Sequence, residues 1–339
     1  MKKIIPEYTF SEEQLHSISL LARATGLTEN VTRIFFARGV DTKDKIEKFM
    51  NPSSKNFLSP FLMKGMKETV EMLTEARDEG KSVAVFGDYD ADGICASAIM
   101  YHALKEFGIE ANVYVPERVD GYGLSEEAVD KIFEDCNPEL FITVDCGISC
   151  AKEAQYIYEL GSDMIVTDHH ELPEVLPDCV IVNPKLNDDY PYDNLCGAGV
   201  AFKVACALLG EKAYKYLDFA ALATVADSVP LLGENRDIVT EGLKLFNKNL
   251  RPCFSHLLNK VYDGVTAQTL SFTVAPRINA AGRMGDAQSA FKLFTSDDDK
   301  EIYDLSVKLC AYNSERQKYC DELYLSAKQK LLEKARTAM

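Results

Sequence analysis

Three short apolar runs in this 339-residue chain each stop at an acid. Val83-Ala84-Val85-Phe86 leads into Gly87-Asp88-Tyr89-Asp90-Ala91-Asp92-Gly93. Leu140-Phe141-Ile142-Thr143-Val144 leads into Asp145-Cys146-Gly147, and Met164-Ile165-Val166-Thr167 into Asp168-His169-His170. Runs of this length, rich in β-branched side chains and bounded by turn residues, read as buried strands. Two more follow the pattern, Asn112–Val115 and Cys179–Val182. Helical stretches separate them at Cys95–Phe107, Glu126–Phe133, Ala151–Leu160 and Gly199–Leu209. Strands alternating with helices predict an α/β fold built on a mostly parallel, doubly wound sheet. The carboxyl ends of such strands share one edge, which is where open α/β sheets hold their ligands. Acids far apart in sequence therefore converge there.

The flanking regions read differently. Residues 1–78 form a helical extension: Ser11-Glu12-Glu13-Gln14 is a helix start, with Leu15, Ile18 and Leu21 at helical spacing behind it. A helical pair lies between Leu27 and Phe49, and another helix between Met66 and Ala76. The main domain occupies 79–300 and turns helical from about 210, with helices at Ala213–Val225 and Arg236–Phe246. Phe272–Met284 reads as a short extended piece followed by a Gly-containing loop that carries Arg277 and Arg283. Residues 301–339, rich in Lys, Glu and Ala, read as one long connecting helix.

Composition narrows the function. The net charge of −16 argues against a non-specific polyanion binder with a basic surface, though a local cleft can still take nucleic acid. No apolar run reaches the length of a membrane span, and the first residues lack a signal-peptide core, so a cytoplasmic protein without a membrane partner is expected. The ten cysteines are scattered, without a Cys-x-x-Cys pair, as expected of free thiols in a reducing compartment.

A lone Asp-x-Asp is more often a solvated loop than a site, and adjacent histidines are more often surface residues. Here the acids recur at three strand ends, and two of only five histidines stand beside one of them. Asp227, at a helix end, can join the set. Carboxylates with one or two imidazoles suit Mn²⁺, or Mg²⁺ with less imidazole. The ligands exceed the needs of one ion. A pair of ions roughly 3.5–4 Å apart, sharing a carboxylate, is the natural use of such a set in phosphate chemistry.

These residues resemble the DHH phosphoesterase superfamily, whose signature is Asp168-His169-His170. Gly87–Gly93 resembles its first motif, Val144–Gly147 its second and Ala226-Asp227 its fourth. Within it the pattern is most similar to the RecJ single-strand-specific DNA exonucleases. Pro116-Glu117-Arg118 with Gly121–Leu124, Cys196–Lys203, Pro276–Met284 and Asn313–Gln317 carry that likeness, with Arg38-Gly39-Val40 and Phe49–Pro52 near the start. The resemblance implies a two-ion hydrolase releasing mononucleotides from single-stranded DNA in the 5′-to-3′ direction, in repair and recombination. It implies Asp90, Asp92, Asp145, His169 and Asp227 as ligands of two Mn²⁺ or Mg²⁺ ions, with Asp145 bridging and Asp88 added to the first ion's shell. It further implies His170 on the scissile phosphate and Arg118, Arg277 and Arg283 on the DNA backbone. A single-strand-binding protein or a helicase is the implied partner; the sequence says nothing of oligomeric state.

Two departures qualify the resemblance. Many members of the superfamily carry a histidine at the position of Phe86, which cannot bind metal. The family's C-terminal substrate-binding domain, with its Gly-Gly-His motif, and its oligonucleotide-binding barrel have no counterpart in the sequence. The expectation for the chain alone is an open cleft with weak, salt-sensitive, non-processive action on single strands. Two other readings stand beside the exonuclease. One is a phosphoesterase for very short oligonucleotides, cyclic dinucleotides or pyrophosphate. The other is a non-catalytic replication scaffold, which the full ligand set argues against.

Overall fold

The computed structural model describes residues 9–117, 123–186, 189–258 and 264–337. Five strands, β1 (Val83–Gly87), β2 (Ala111–Tyr114), β3 (Leu140–Val144), β4 (Asp163–Thr167) and β5 (Val180–Val182), form one sheet in the order β2-β1-β3-β4-β5. Every pairing is parallel. The order places a topological switch point between β1 and β3, because the chain leaves β1 toward one edge and returns to build toward the other.

Successive side chains of a strand face opposite sides, so continuous apolar runs suit strands covered on both faces. Val83, Val85, Leu140, Ile142, Val144, Ile165 and Val182 face one side. There they meet helices α4 (Met66–Glu79), α5 (Ala91–Phe107) and α8 (Gly197–Leu209). Ala84, Phe86, Phe141, Met164, Val166 and Ile181 face the other, against α6 (Glu126–Cys136) and α7 (Ala151–Glu159). Phe86 is therefore a core residue below the acidic turn. Helix α5 is apolar on nearly every side and is buried around most of its circumference, as a central helix must be.

Helices α9 (Leu217–Ala226) and α10 (Gly233–Lys248) extend the first core, followed by α11 (Pro252–Leu258) and α14 (Ala287–Thr295), two short helices without a counterpart in the sequence reading. The stretch 210–225 divides into a 3₁₀ segment, Gly210–Tyr216, and α9. One expectation is overturned outright. Phe272–Met284 is not an extended piece and loop. It lies in a helical run: α12 (Ala267–Thr269), a π turn at Leu270–Val274, then α13 (Ala275–Arg283). The β-branched residues Thr273 and Val274 and the proline suggested an extended chain. Pro276 sits in the first turn of α13, directly after the π turn, whose i→i+5 bond from Ala275 N to Leu270 O widens the ladder ahead of the residue that cannot donate. The long helix is α15 (Asp299–Thr337), buried on one stripe through Ile302, Ser306 and Leu309.

The N-terminal helices α1 (Glu12–Thr25), α2 (Glu29–Ala37) and α3 (Lys43–Met50) have a small cluster of their own around Phe35, Val40 and Ile46. Ser11 caps α1 with a reciprocal bond from Gln14, as the sequence signals. The segment that follows α3 is fastened to α10. Arg236 Nε donates to the Phe49 carbonyl at 2.7 Å, and its guanidinium lies 3.8 Å from the Phe49 ring centre. Asp237 accepts from Ser53 N at 2.7 Å and Asn56 Nδ2 at 2.9 Å. Glu234 accepts from Leu58 N at 3.0 Å and from Lys203 Nζ at 2.6 Å, and Tyr190 donates its hydroxyl to the second carboxylate oxygen.

Lys203 and Glu234 are both buried. Removing one partner of such a pair strands the other charge in the core, at a cost of about 3–5 kcal/mol. Lys203→Met is expected to lower unfolding free energy by that amount in urea, and adding Glu234→Leu to recover only part of it, because the Leu58 amide and carbonyl and the Tyr190 hydroxyl lose their partners.

Candidate metal centre

The acids predicted from the sequence gather at the carboxyl edge of the sheet, at strand ends, at the start of α5 and at the end of α9, across the switch point between β1 and β3. Asp145 follows β3 and keeps the ladder going: its N–H donates to Thr167 O at 3.0 Å. It then takes φ 61°, a left-handed conformation uncommon outside glycine. Asp168 similarly donates its N–H to Val182 O at 3.1 Å. Asp90 is the N-cap of α5: its Oδ1 accepts from Asp92 N at 2.8 Å and Gly93 N at 3.1 Å. Asp92, inside the first turn of that helix, is nearly sealed from solvent. Its two oxygens accept from Gly197 N and Ala198 N, each at 2.8 Å, at the start of α8. A helix N-terminus thus steadies the buried carboxylate. Asp227 closes α9.

These groups converge on one another. His169 Nε2 lies 3.2 Å from Asp145 Oδ1, 3.8 Å from Asp92 Oδ2 and 4.0 Å from Asp227 Oδ2. Potential ligand atoms of Asp88, Asp90 and Asp145 lie within 4.8 Å of each other, as do those of Asp92, His169 and Asp227, and those of Asp145, His169 and His170. Asp145 belongs to two of these groups. Its Oδ1 is buried without a hydrogen-bond partner. An anionic oxygen in that state is costly unless a cation meets it. The space around it is also reserved: a Cβ on Gly197 would stand 2.1 Å from the same oxygen. An orphaned acid oxygen, a cradle kept open by glycine, and a donor set of carboxylates and imidazole together fit hard divalent cations.

The electrostatics agree. Burial first, and then the Asp90 charge, push Asp88 up to about 6. Burial, Asp90 and Asp227 raise Asp92 to about 7 against the pull of the α8 amides. Burial followed by the charges of Asp92 and Asp90 drives Asp145 well above the carboxylate range, and burial with Asp90 lifts Asp227 to about 6. Burial and the neighbouring His170 lower His169 to about 4, so its imidazole is neutral and able to bind metal.

His170 has a different setting. Its Nδ1 is 2.7 Å from Asp168 Oδ1, and that hydrogen bond raises its pKa. Burial would raise Asp168, but the bond and charge of His170, with the Ile148 and His170 amides, hold it below the usual range. Asn183 Nδ2 and Lys185 Nζ donate to the His170 and His169 carbonyls at 3.0 and 2.8 Å, which fixes the turn. The orienting role of Asp168 and the amides of Gly197 and Ala198 are functional features the sequence reading did not assign. Cys196-Gly197-Ala198-Gly199, a small-residue run opening a helix, was the available signal for the second.

The arginines are more dispersed. Arg283 is exposed at the end of α13. Arg277 is half-buried, with Nε 3.3 Å from Cys310 Sγ and Nη1 on the Thr273 carbonyl. Arg118, with Gly121 and Tyr122 of the same motif, lies outside the described residues.

Residues 82–225 match the DHH family, N-terminal domain. The single-stranded-DNA-specific exonuclease RecJ of Bacillus subtilis is 39% identical over 318 residues, covering 92% of this chain and 39% of the relative. RecJ of Thermus thermophilus is 38% identical over 260 residues, covering 75% and 39%. The chain thus spans well under two thirds of these relatives' length. A crystal structure of exonuclease RecJ bound to manganese superposes with a TM-score of 0.72 at 37% identity, over 77% of this chain and 68% of that one. The crystal structure of Thermus thermophilus RecJ in complex with Mn²⁺ gives 0.78 at 32% identity, over 91% and 45%.

The raised carboxylates set a pH dependence. Their unfolded values lie near 3.8, so the folded, metal-free protein holds more protons than the unfolded chain between pH 4 and about 7. The stability they lend is present below the unfolded value and is lost as pH rises through about 6 and 7. Melts in chelator are expected to show this contribution falling from pH 5 to pH 7.5. Mn²⁺ should stabilise the protein at pH 7.5 and do so less at pH 5.5, where protons compete for the same oxygens. A chelated protein with no such trend, and an Mn²⁺ effect equal at both pH values, would contradict the assignment.

Proposed function

Since this chain belongs to the RecJ family of DHH phosphoesterases, we propose that it carries the catalytic part of a two-ion, single-strand-specific 5′-to-3′ DNA exonuclease that releases mononucleotides. The observation that carries the reading is the buried, unpartnered Asp145 Oδ1 facing His169 at 3.2 Å, with Asp88, Asp90, Asp92 and Asp227 around it. Asp90, Asp92, Asp145, His169 and Asp227 would hold two Mn²⁺ or Mg²⁺ ions, Asp145 serving both and Asp88 completing one side. When bound, such ions make an attacking water more acidic and neutralise charge on the phosphate oxygens.

The protein's own groups do the rest. The α5 N-terminus and the α8 amides hold the Asp90 and Asp92 carboxylates in place before an ion arrives. Asp168 fixes Nδ1 of His170, and Nε2 can then hydrogen-bond a non-bridging oxygen of the scissile phosphate. A raised pKa keeps that imidazole cationic more of the time, which favours the contact with an anion. Arg283 and Arg118 would contact the DNA backbone. Arg277, already bonded to Thr273 and Cys310, would do so at the expense of those bonds. We place the protein in the cytoplasm, in DNA repair and recombination, beside a single-strand-binding protein or a helicase. The ten free cysteines are in keeping with a reducing compartment.

The test is degradation of 5′-labelled and 3′-labelled single strands in Mn²⁺, beside duplex and dinucleotide controls. Label release from the 5′ end of long strands is expected; preference for the dinucleotide would replace the reading with a short-substrate phosphoesterase. Absence of paired Mn²⁺ binding in calorimetry would favour a scaffold. Asp145→Asn is expected to abolish hydrolysis with an unchanged circular dichroism spectrum, and more than about a tenth of wild-type activity would contradict the shared-ligand role. His169→Ala should weaken Mn²⁺ binding, whereas His170→Ala should lower turnover more than metal affinity. Equal loss of affinity in the two would sink that division.

A further inference from the structure

The first turn of α5 carries the acids, and its backbone donors can be accounted for one at a time. Asp92 N and Gly93 N go to Asp90 Oδ1, and Ile94 N to the Asp90 carbonyl at 2.9 Å. Ala91 N, the remaining donor, goes to a side chain 188 residues away: it donates to Asn279 Oδ1 at 2.8 Å. An N-cap carboxylate normally reaches the second and third amides of a helix and leaves the first to water or to another group. Asn279, from α13, is that other group. One turn further along α13, Gly282 meets the same loop from beside it. A Cβ there would stand 2.4 Å from the Tyr89 carbonyl oxygen. Helix α13 therefore touches the backbone on both sides of Asp90, at Tyr89 and at Ala91.

Helix α13 is itself held to α15, by Arg277 Nε on Cys310 and through Asp286, which accepts from Lys308 at 2.6 Å and Tyr312 at 2.8 Å. We infer that Asn279 is a positioning residue for the metal-binding turn: by taking the Ala91 amide it leaves the second carboxylate oxygen of Asp90 free for a cation and fixes the spacing of Asp88, Asp90 and Asp92. The inference rests on the two-ion reading above. It gives the helical Pro276–Met284 motif a role that needs no contact with substrate. Without the Asn279 oxygen the first amide of α5 is an unsatisfied donor beside the Asp90 carboxylate, which can turn toward it. Any such turn removes an oxygen from the cation.

Two measurements on the whole chain test this: titration calorimetry with Mn²⁺, and amide hydrogen exchange without metal. Asn279→Ala is expected to lose protection at Ala91 while the β3 amides keep theirs, and to bind Mn²⁺ about 10–100-fold more weakly, the range for outer-shell partners. Asn279→Asp retains the acceptor oxygen, so it should keep Ala91 protected and bind Mn²⁺ no more weakly than wild type. Gly282→Ala, which pushes on Tyr89 and leaves the Asn279 amide in place, should weaken Mn²⁺ binding in the same direction. A purely structural role would weaken Asn279→Ala and Asn279→Asp alike, and that result overturns the inference. So does wild-type Mn²⁺ affinity in Asn279→Ala. If wild type itself takes up no pair of Mn²⁺ ions, the two-ion reading falls and this inference with it.

Discussion

The fold gathers like charge where it is least welcome. Asp92 and Asp145 are almost wholly buried, with Asp88 beside them, and burial and mutual repulsion raise their pKa values together. In a low-dielectric interior such a cluster opposes folding unless something supplies positive charge. The protein provides part of it through backbone: the α8 amides on Asp92 and the first amides of α5 on Asp90. The remainder is left open at Asp145 Oδ1. Much of the surrounding architecture, from the left-handed turn at Asp145 to the bare Gly197, serves to keep that deficit in place rather than to relieve it.

Two neighbouring imidazoles differ in protonation because their partners differ. His169 is drawn inward among carboxylates and is neutral, while His170 is tied by Asp168 and is the more readily protonated. Adjacent residues leaving a strand point to different sides, so one dipeptide carries two imidazoles in different surroundings.

The sheet and the acids were legible because both are written in period and punctuation. Val83–Phe86, Leu140–Val144 and Met164–Thr167 are buried on both faces, and each ends in the acid that names its strand end. What stayed hidden lies in contacts of high sequence separation. Nothing local to Asn279 points to Ala91, and nothing local to Gly197 points to Asp92 or Asp145. The misreading of Phe272–Met284 has a different origin. Its β-branched residues and proline favour extended chain locally, but the helical packing of α13 against α5, α14 and α15 overrides that preference. Asp168 was visible as part of a motif, yet its service to His170 depends on a rotamer no sequence pattern records.

The ties between the N-terminal segment and α10 also bear on how the chain is made. Ser53 and Asn56 bond to Asp237 across 184 and 181 residues, and Leu58 to Glu234 across 176. On a ribosome adding about 5–20 residues per second, the earlier partners emerge roughly ten to forty seconds before the later ones exist. During that interval the helices around Phe35 and Ile46 lack Leu232, which packs on their small cluster, and Phe57 waits for Phe202 and Tyr214. The hydrogen bonds that fasten this segment therefore form only after α10 has left the exit tunnel.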